Sequence, residues 1–410
     1  MNSAFSTNQC ISTVHSLYGI DSQQENLRRK RIMTSEALRN LSTTTVVENE
    51  EFLPRNVPSI LELKKNLPQH CFESHLPTSL YYVFKDLAII AALYFAILLV
   101  DKELSNIPYL SFMAYPIYWN LQGMMFWALF VLGHDCGHGS FSRYEVLNDV
   151  VGNLLHAFIL VPYYPWKLSH RHHHKNTGNI DRDEIFYPIR QKDWYKGNGE
   201  REGSTLPLFG LGLGWFFYLV VGYSPRNVNH LNPFDQFFNR NNLKCGISIA
   251  LVAAWSLVLA MSYQYEVYTF FGLLKHYLIP VFVFASWLVI TTFLHHQGED
   301  VPWYSDEEWN FVRGNLSSVD RDYGWAHNLV HNIGTHQIHH LFIKIPHYHL
   351  EEATQVFRDK YPHLVRKCND PILTSFVKRF FVFTSHQLIS NETKFHFFDG
   401  KKSTASKKIS

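Results

Sequence analysis

The chain has 410 residues, 46% hydrophobic and 16% aromatic, which supplies a large core and excludes a wholly disordered chain. Its 37 Lys and Arg against 35 Asp and Glu leave a net charge of +2, which excludes a general nucleic-acid binder, because neutralising phosphates needs a concentrated basic excess. The unusual count is 24 histidines. Cys10, Cys71, Cys136, Cys245 and Cys368 are scattered, odd in number and without CxxC spacing, so reduced thiols are expected rather than disulfides or a thiolate metal site.

Residues 1–55 are rich in Ser, Thr, Asn and Gln and read as a flexible tail, with one basic cluster, LRRKR, at 27–31. The first twenty residues carry neither the charged and apolar regions of a signal peptide nor a strong transit-peptide bias, so membrane insertion is expected to use internal segments. A single domain is expected over 56–390, starting with the helical pattern ILELKKNL. Residues 81–100 then form an apolar run of about 20 residues, enough to cross a hydrocarbon core at about 1.5 Å per residue. A second run, 107–132, follows the break DKELSN, and the two predict a helical hairpin. Runs 245–261 and 277–294 predict another. Buried helices of a soluble protein are also apolar all round, but four near-spanning runs in two hairpins favour a membrane.

Between the hairpins, segments 147–162 and 206–223 are interrupted by Pro, Gly or Asn and read as helices lying in the interface. With four crossings the N-terminus, the middle region and everything after 294 share one face, which holds most of the Lys and Arg and is expected to be cytosolic. Residues 391–410 read as a second flexible tail ending in KKIS, similar to a dilysine endoplasmic-reticulum signal. The sequons at Asn315 and Asn391 fall on the face where glycosylation does not occur.

Three histidine clusters fall on this shared face. HDCGH sets His134 and His138 at i and i+4 beyond the second run; HRHHH sets His170, His173 and His174 at i, i+3 and i+4; HQIHH repeats that spacing with His336, His339 and His340. Such spacing brings rings to one side of a helix, where they can converge on a metal. A lone HxxxH arises by chance on many helices, whereas eight rings would leave a structural core with many ring nitrogens to satisfy. Eight imidazoles exceed one zinc's four ligands and suit two metals with positions left open, and imidazole alone does not choose between Zn, Cu, Fe and Ni. His172, at i+2 from His170, points about 200° away and is expected outside the set. His296, at the end of the fourth run, and His331, in HNIGTH, are candidates to complete it. A polar contact near the membrane surface competes for each, and His296 is preferred because a helix end is a rigid base. His347 and His349 are expected outside the metal shell. Asp135, Asp181, Asp183, Glu184, Asp320 and Asn332 are candidates to orient ligand rings through their second nitrogens, or to serve as caps and ion-pair partners.

These boxes, in this order and between two hairpins, resemble the membrane fatty acyl desaturases from about residue 61 to about 383. LPQHCFESHLPTSLYYV, GHDCGHGSFS, LLHAFILVPYYPWKLSHRHHHKNTG, EWNFVRG, DRDYG and HNIGTHQIHHLFIKIPHYHLEEAT carry the resemblance, and their wording is nearest the methyl-end enzymes. HDCGHGSF and HNIGTHQIHHLF are more similar to omega-3 than to plant delta-12 sequences, while HRHHHKNTGN departs from the plant omega-3 form. The resemblance implies an all-α integral membrane protein with four transmembrane helices in two hairpins, interfacial helices and a cytosolic histidine-rich di-metal cap. It also implies two non-haem iron ions, O2 as co-substrate and a fatty acyl lipid or acyl-CoA substrate. Location in the endoplasmic reticulum is expected from the KKIS end, and both termini are expected to be cytosolic from the four crossings and the basic shared face. Electrons are expected from cytochrome b5 and its NADH-dependent reductase. The HPGG motif of a fused cytochrome b5 domain does not occur in this sequence, so the donor is expected to be a separate protein, or ferredoxin in a plastid. Delta-12 desaturases, and hydroxylases, acetylenases or conjugases with the same boxes, are the nearest alternatives. A histidine-rich metal transporter is the alternative from another class, but the third and fourth runs lack the liganding residues it needs within the crossings, Cys245 at one end excepted.

Overall fold

A Ser-x-x-Glu sequence starts the first described helix, α1 (Ile60–Asn66): the Ser59 hydroxyl accepts from the Glu62 amide at 3.2 Å, satisfying one of the free first-turn N–H groups. The computed structural model describes Pro54 and residues 56–196, 200–201 and 211–398. The basic cluster at 27–31, nearly all of the first tail, residues 206–210 and the KKIS end lie outside the described residues.

After a short turn, Gln69–Phe72, α2 (Leu76–Glu103) and α3 (Pro108–His138) run 28 and 31 residues, each with Pro in the first turn, where no helical hydrogen bond is lost. At about 1.5 Å per residue both exceed a hydrocarbon core of about 30 Å. Helix α3 ends at Gly139, whose φ of 68° is the left-handed cap that glycine adopts without steric cost, so the chain turns directly after His138. Next come α4 (Glu145–Phe158) and α5 (Tyr163–Asn176), bent by 106° at the break between them. Helix α6 (Gly212–Val221) has 10 residues and is too short to cross. Helix α7 (Asn242–Gln264) follows, and then α8 (Ile279–His296), which continues the helical segment begun at Phe270. The short α9 (His336–Leu341), α10 (His347–Lys360) and α11 (Ile372–His386) complete the helices used below.

Three described helices are both long and apolar enough to cross a membrane: α2, α7 and the rod Phe270–His296. The bent pair α4–α5 adds a fourth only if it counts as one span. Helix α3 has the length, but Asn120, Gln122 and several Tyr and Trp residues make it less apolar. It forms the centre instead. Its residues from Met124 to Leu132 are buried, and it packs against α2, α4 and α8. Helices α2 and α7 turn large apolar side chains outward, among them Phe84, Phe95, Leu243 and Leu257. In water such faces would be an aggregation hazard.

The fold extends beyond the expected boundary at 390. Phe395–Phe397 pairs antiparallel with Pro302–Tyr304, and Phe398 is buried. Arg190 secures this segment by donating to the carbonyls of Asn391 (2.6 Å) and Thr393 (3.2 Å), and Arg379 donates to that of Phe398. Backbone pairing of this kind has no hydrophobic period, so composition alone reads it as tail.

Candidate metal centre

Four helices deliver imidazoles to one buried place. Helix α3 supplies His134 and His138 from its last turn, α5 supplies His170, His173 and His174, α9 supplies His336, His339 and His340, and α8 ends in His296. The rings form two groups. His134, His138, His170, His174 and His339 each offer one nitrogen, all within 4.8 Å of one another. His173, His296 and His340 do the same, and His336 Nε2 joins them at 3.3 Å from His296 and 2.9 Å from His340.

The three rings of an HxxHH box do not converge on one point. In HRHHH the i and i+4 rings, His170 and His174, enter the first group, and the i+3 ring, His173, enters the second. In HQIHH the assignment is reversed: His336 and His340 enter the second group, and His339 the first. Each box therefore serves both groups.

The facing nitrogens cannot all be satisfied by one another. His134 Nε2 lies 3.1 Å from both His138 Nε2 and His339 Nε2, and one ring proton serves only one such contact. Burial first, and then neighbouring rings, push His170, His174, His336, His339 and His340 well below the ordinary imidazole range. Neutral rings with converging lone pairs are a donor set for a cation such as Fe, Zn, Cu or Ni.

Outer contacts fix several rings. Asp183 Oδ1 accepts from His173 Nδ1 at 2.7 Å, while its carboxylate also accepts the Gly178 and Glu184 amides. His340 Nδ1 faces Thr177 Oγ1 at 3.1 Å and Asn315 Oδ1 at 3.3 Å. Asp135 Oδ1 is 3.6 Å from His134 Nδ1, and Oδ2 holds His347 Nδ1 at 2.9 Å. Asp320 accepts the Gln337 amide at 2.8 Å, so it fixes the backbone of α9, not a ring. Asp181 is committed to Arg190 through two bonds. Asn332 shapes the turn before α9 with a φ of 55°. Glu184 is buried, its Oε1 has no hydrogen-bond partner among the described residues, and burial raises its carboxyl well above the ordinary range.

His331 does not join either group. Its Nε2 lies 2.6 Å from Asp86 Oδ2 on α2, and its ring packs against Tyr82 and His347. His172 turns away and sets its ring edge-on against Phe237. Asn315, read from the sequence only as a sequon, is fully buried beside His340. His295 was not anticipated: it stacks on His336 with centroids 4.0 Å apart and bonds Tyr323 Oη at 2.5 Å. Its place one residue before His296 was the only signal.

An apolar cavity opens onto both groups. His134 and His170 of the first and His173, His296 and His336 of the second line it, together with Trp127, Phe130, Trp166, Trp215 and Tyr218. Mostly apolar walls with a few convergent polar groups are typical of small-ligand sites.

The family model for fatty acid desaturases matches residues 110–371. The chain is 39% identical to an sn-1 acyl-lipid omega-3 desaturase (ferredoxin) of Nostoc sp. (strain 36), over 77% of this chain and 84% of that one. It is 41% identical to an omega-3 fatty acid desaturase, endoplasmic reticulum, of Vigna radiata var. radiata, over 72% and 76%. With the acyl-lipid omega-3 desaturase (cytochrome b5), endoplasmic reticulum, of Arabidopsis thaliana it shares 40% identity over 75% and 78%. A family match over most of the helical domain, joined to relatives at this identity over most of their own length, places the chain in the fatty acid desaturase family.

Proposed function

We propose that this protein is an omega-3 desaturase that introduces a cis double bond near the methyl end of an unsaturated acyl chain. The observation that carries the reading is the apolar cavity whose wall includes rings of both histidine groups. A methylene chain lying there would meet both groups at once. The names of the relatives support the omega-3 position.

The nine rings would hold two iron ions, which supply the O2-dependent two-electron oxidation that no side chain can perform. Overall, one O2, two electrons and two protons take two hydrogens from adjacent carbons, giving an alkene and two waters. The chain's own residues position and exclude. Trp127, Phe130, Trp166 and Trp215 keep water from the cavity and restrict the flexible acyl chain to few conformations, which lowers the entropic cost of reaching the right carbon pair. Asp183 keeps the His173 proton on Nδ1 and leaves Nε2 free to donate its lone pair.

In the membrane, α2, α3, α7 and α8 would cross, while the bent pair α4–α5 and the short α6 would lie at the surface. The histidine centre and both termini would then face the cytosol, supported by the excess of Lys and Arg on that side. The endoplasmic reticulum and a separate cytochrome b5 with its NADH-dependent reductase fit the relatives from Vigna and Arabidopsis. Ferredoxin is the donor in the name of the Nostoc relative.

Expression in yeast with linoleate and oleate fed separately tests the reading. New omega-3 product from linoleate is expected. Linoleate formed from oleate instead indicates delta-12 activity, and hydroxylated products without new alkenes refute desaturation.

A further inference from the structure

A second kind of ligating cluster lies apart from the nine rings. His70 and Cys71 sit on the turn Gln69–Phe72 that leads towards α2, and His349 and Glu352 sit on α10 at i and i+3, on one helical face. One nitrogen, sulfur or carboxylate oxygen from each of the four lies within 4.8 Å of the others. His70 Nε2 is 3.0 Å from Glu352 Oε2 and 3.7 Å from Cys71 Sγ. In a tetrahedral zinc site, bonds of about 2.0–2.1 Å to N and O and about 2.3 Å to S give edges of about 3.3 Å and about 3.5 Å. The observed separations are near those edges. The rings of His70 and His349 stand at 80° with centroids 5.4 Å apart, so they approach the common point from different directions.

Charge and softness narrow the ligand. A thiolate and a carboxylate together carry two negative charges, which two neutral imidazoles leave unchanged, matching a divalent cation. Calcium and magnesium take oxygen ligands, whereas mixed S, N and O donors in a four-coordinate arrangement suit zinc. Cys71 is 0% exposed and its sulfur lies 3.7 Å from His70 Nε2, so it faces the cluster and not solvent.

We propose that His70, Cys71, His349 and Glu352 form a structural zinc site that pins the turn before α2 to α10. The pin lies close to the histidine centre in covalent terms. Helix α10 also carries His347, which bonds Asp135 beside His134. The site does not depend on the reaction proposed above, because none of its four residues belongs to either histidine group or lines the cavity.

The test uses the full chain in detergent micelles, loaded with iron and zinc, desalted, and assayed for both metals by elemental analysis. One zinc per chain is expected, and Cys71→Ser and Glu352→Ala each lower the zinc retained by about tenfold or more while iron is unchanged. Glu352 has a half-exposed side chain, so its removal leaves the core intact. Cobalt in place of zinc adds a second readout, a thiolate-to-cobalt charge-transfer band lost in Cys71→Ser, which the all-imidazole groups do not produce. Zinc missing from the unsubstituted protein, or kept undiminished by either variant, overturns the site.

Discussion

His174 and His340 stack with ring centroids 4.1 Å apart and planes 21° from parallel, although their Nε2 atoms belong to different histidine groups. The contact joins α5 to α9 at the boundary between the groups. Each group also takes rings from both helices, so neither can be assembled without the other.

Removing the i+3 ring of either box strips one member from one group. His173→Ala and His339→Ala are each expected to lower desaturation by about 100-fold or more while the protein stays in the membrane fraction. His172→Ala, whose ring packs on Phe237, is expected to stay near the unsubstituted rate. Product analysis by gas chromatography beside membrane immunoblots checks all three, and an active His339→Ala enzyme would contradict the assignment.

Asp183→Asn keeps the size of the side chain but removes the charge that holds His173 Nδ1–H. A loss of about 10–100-fold in metal affinity or activity is expected, as for other residues that orient a metal ligand. Iron content against free iron concentration measures it. Unchanged affinity would mean that the backbone alone fixes His173.

His331→Ala separates a stabilising ring from a ligand. Its loss leaves the fully buried Asp86 carboxylate, among the described residues, with only Lys85 Nζ, 3.5 Å from the other oxygen, and is expected to cost about 3 kcal/mol. Metal content per folded chain should not change. A lowered Tm with full iron content is the expected pair of results, and iron loss at unchanged Tm would reinstate His331 as a ligand.

Acid should destabilise the fold well before carboxylates titrate. Burial pushes His230 and His331 down to about 4 and His396 down to about 3, so all three are neutral in the folded state. Below about 6.5 the unfolded chain binds protons that the folded chain refuses, so stability falls with pH by about 1.4 kcal/mol per unit for each ring until its folded pKa is reached. Tm measured between pH 7 and pH 4 is expected to fall progressively. A flat profile would mean that these rings are reached by water.

Filling the cavity should stop turnover without touching the metals. Val289 lines it and is almost fully buried, so Val289→Trp is expected to lower product formation by about tenfold or more with iron content unchanged. Equal product from both proteins would place the acyl chain elsewhere.

Sequence by itself determined the helical class, the apolar lengths and the three boxes, because hydrophobic period and i, i+3, i+4 spacing are local properties of a chain. The sequence preferred His296 to His331 only because a helix end is a rigid base. The tertiary structure separated them outright, through the position of Asp86 on a helix 245 residues away in sequence from His331. The same holds for the division of each HxxHH box between two groups. Helical phase fixes the direction in which His170, His173 and His174 point to within one face, but which point each ring reaches depends on where α3, α8 and α9 stand. The contacts of Asn315 and Thr177 with His340, and the folding of 391–398 onto 302–304, likewise come from long-range packing that leaves no period in the sequence.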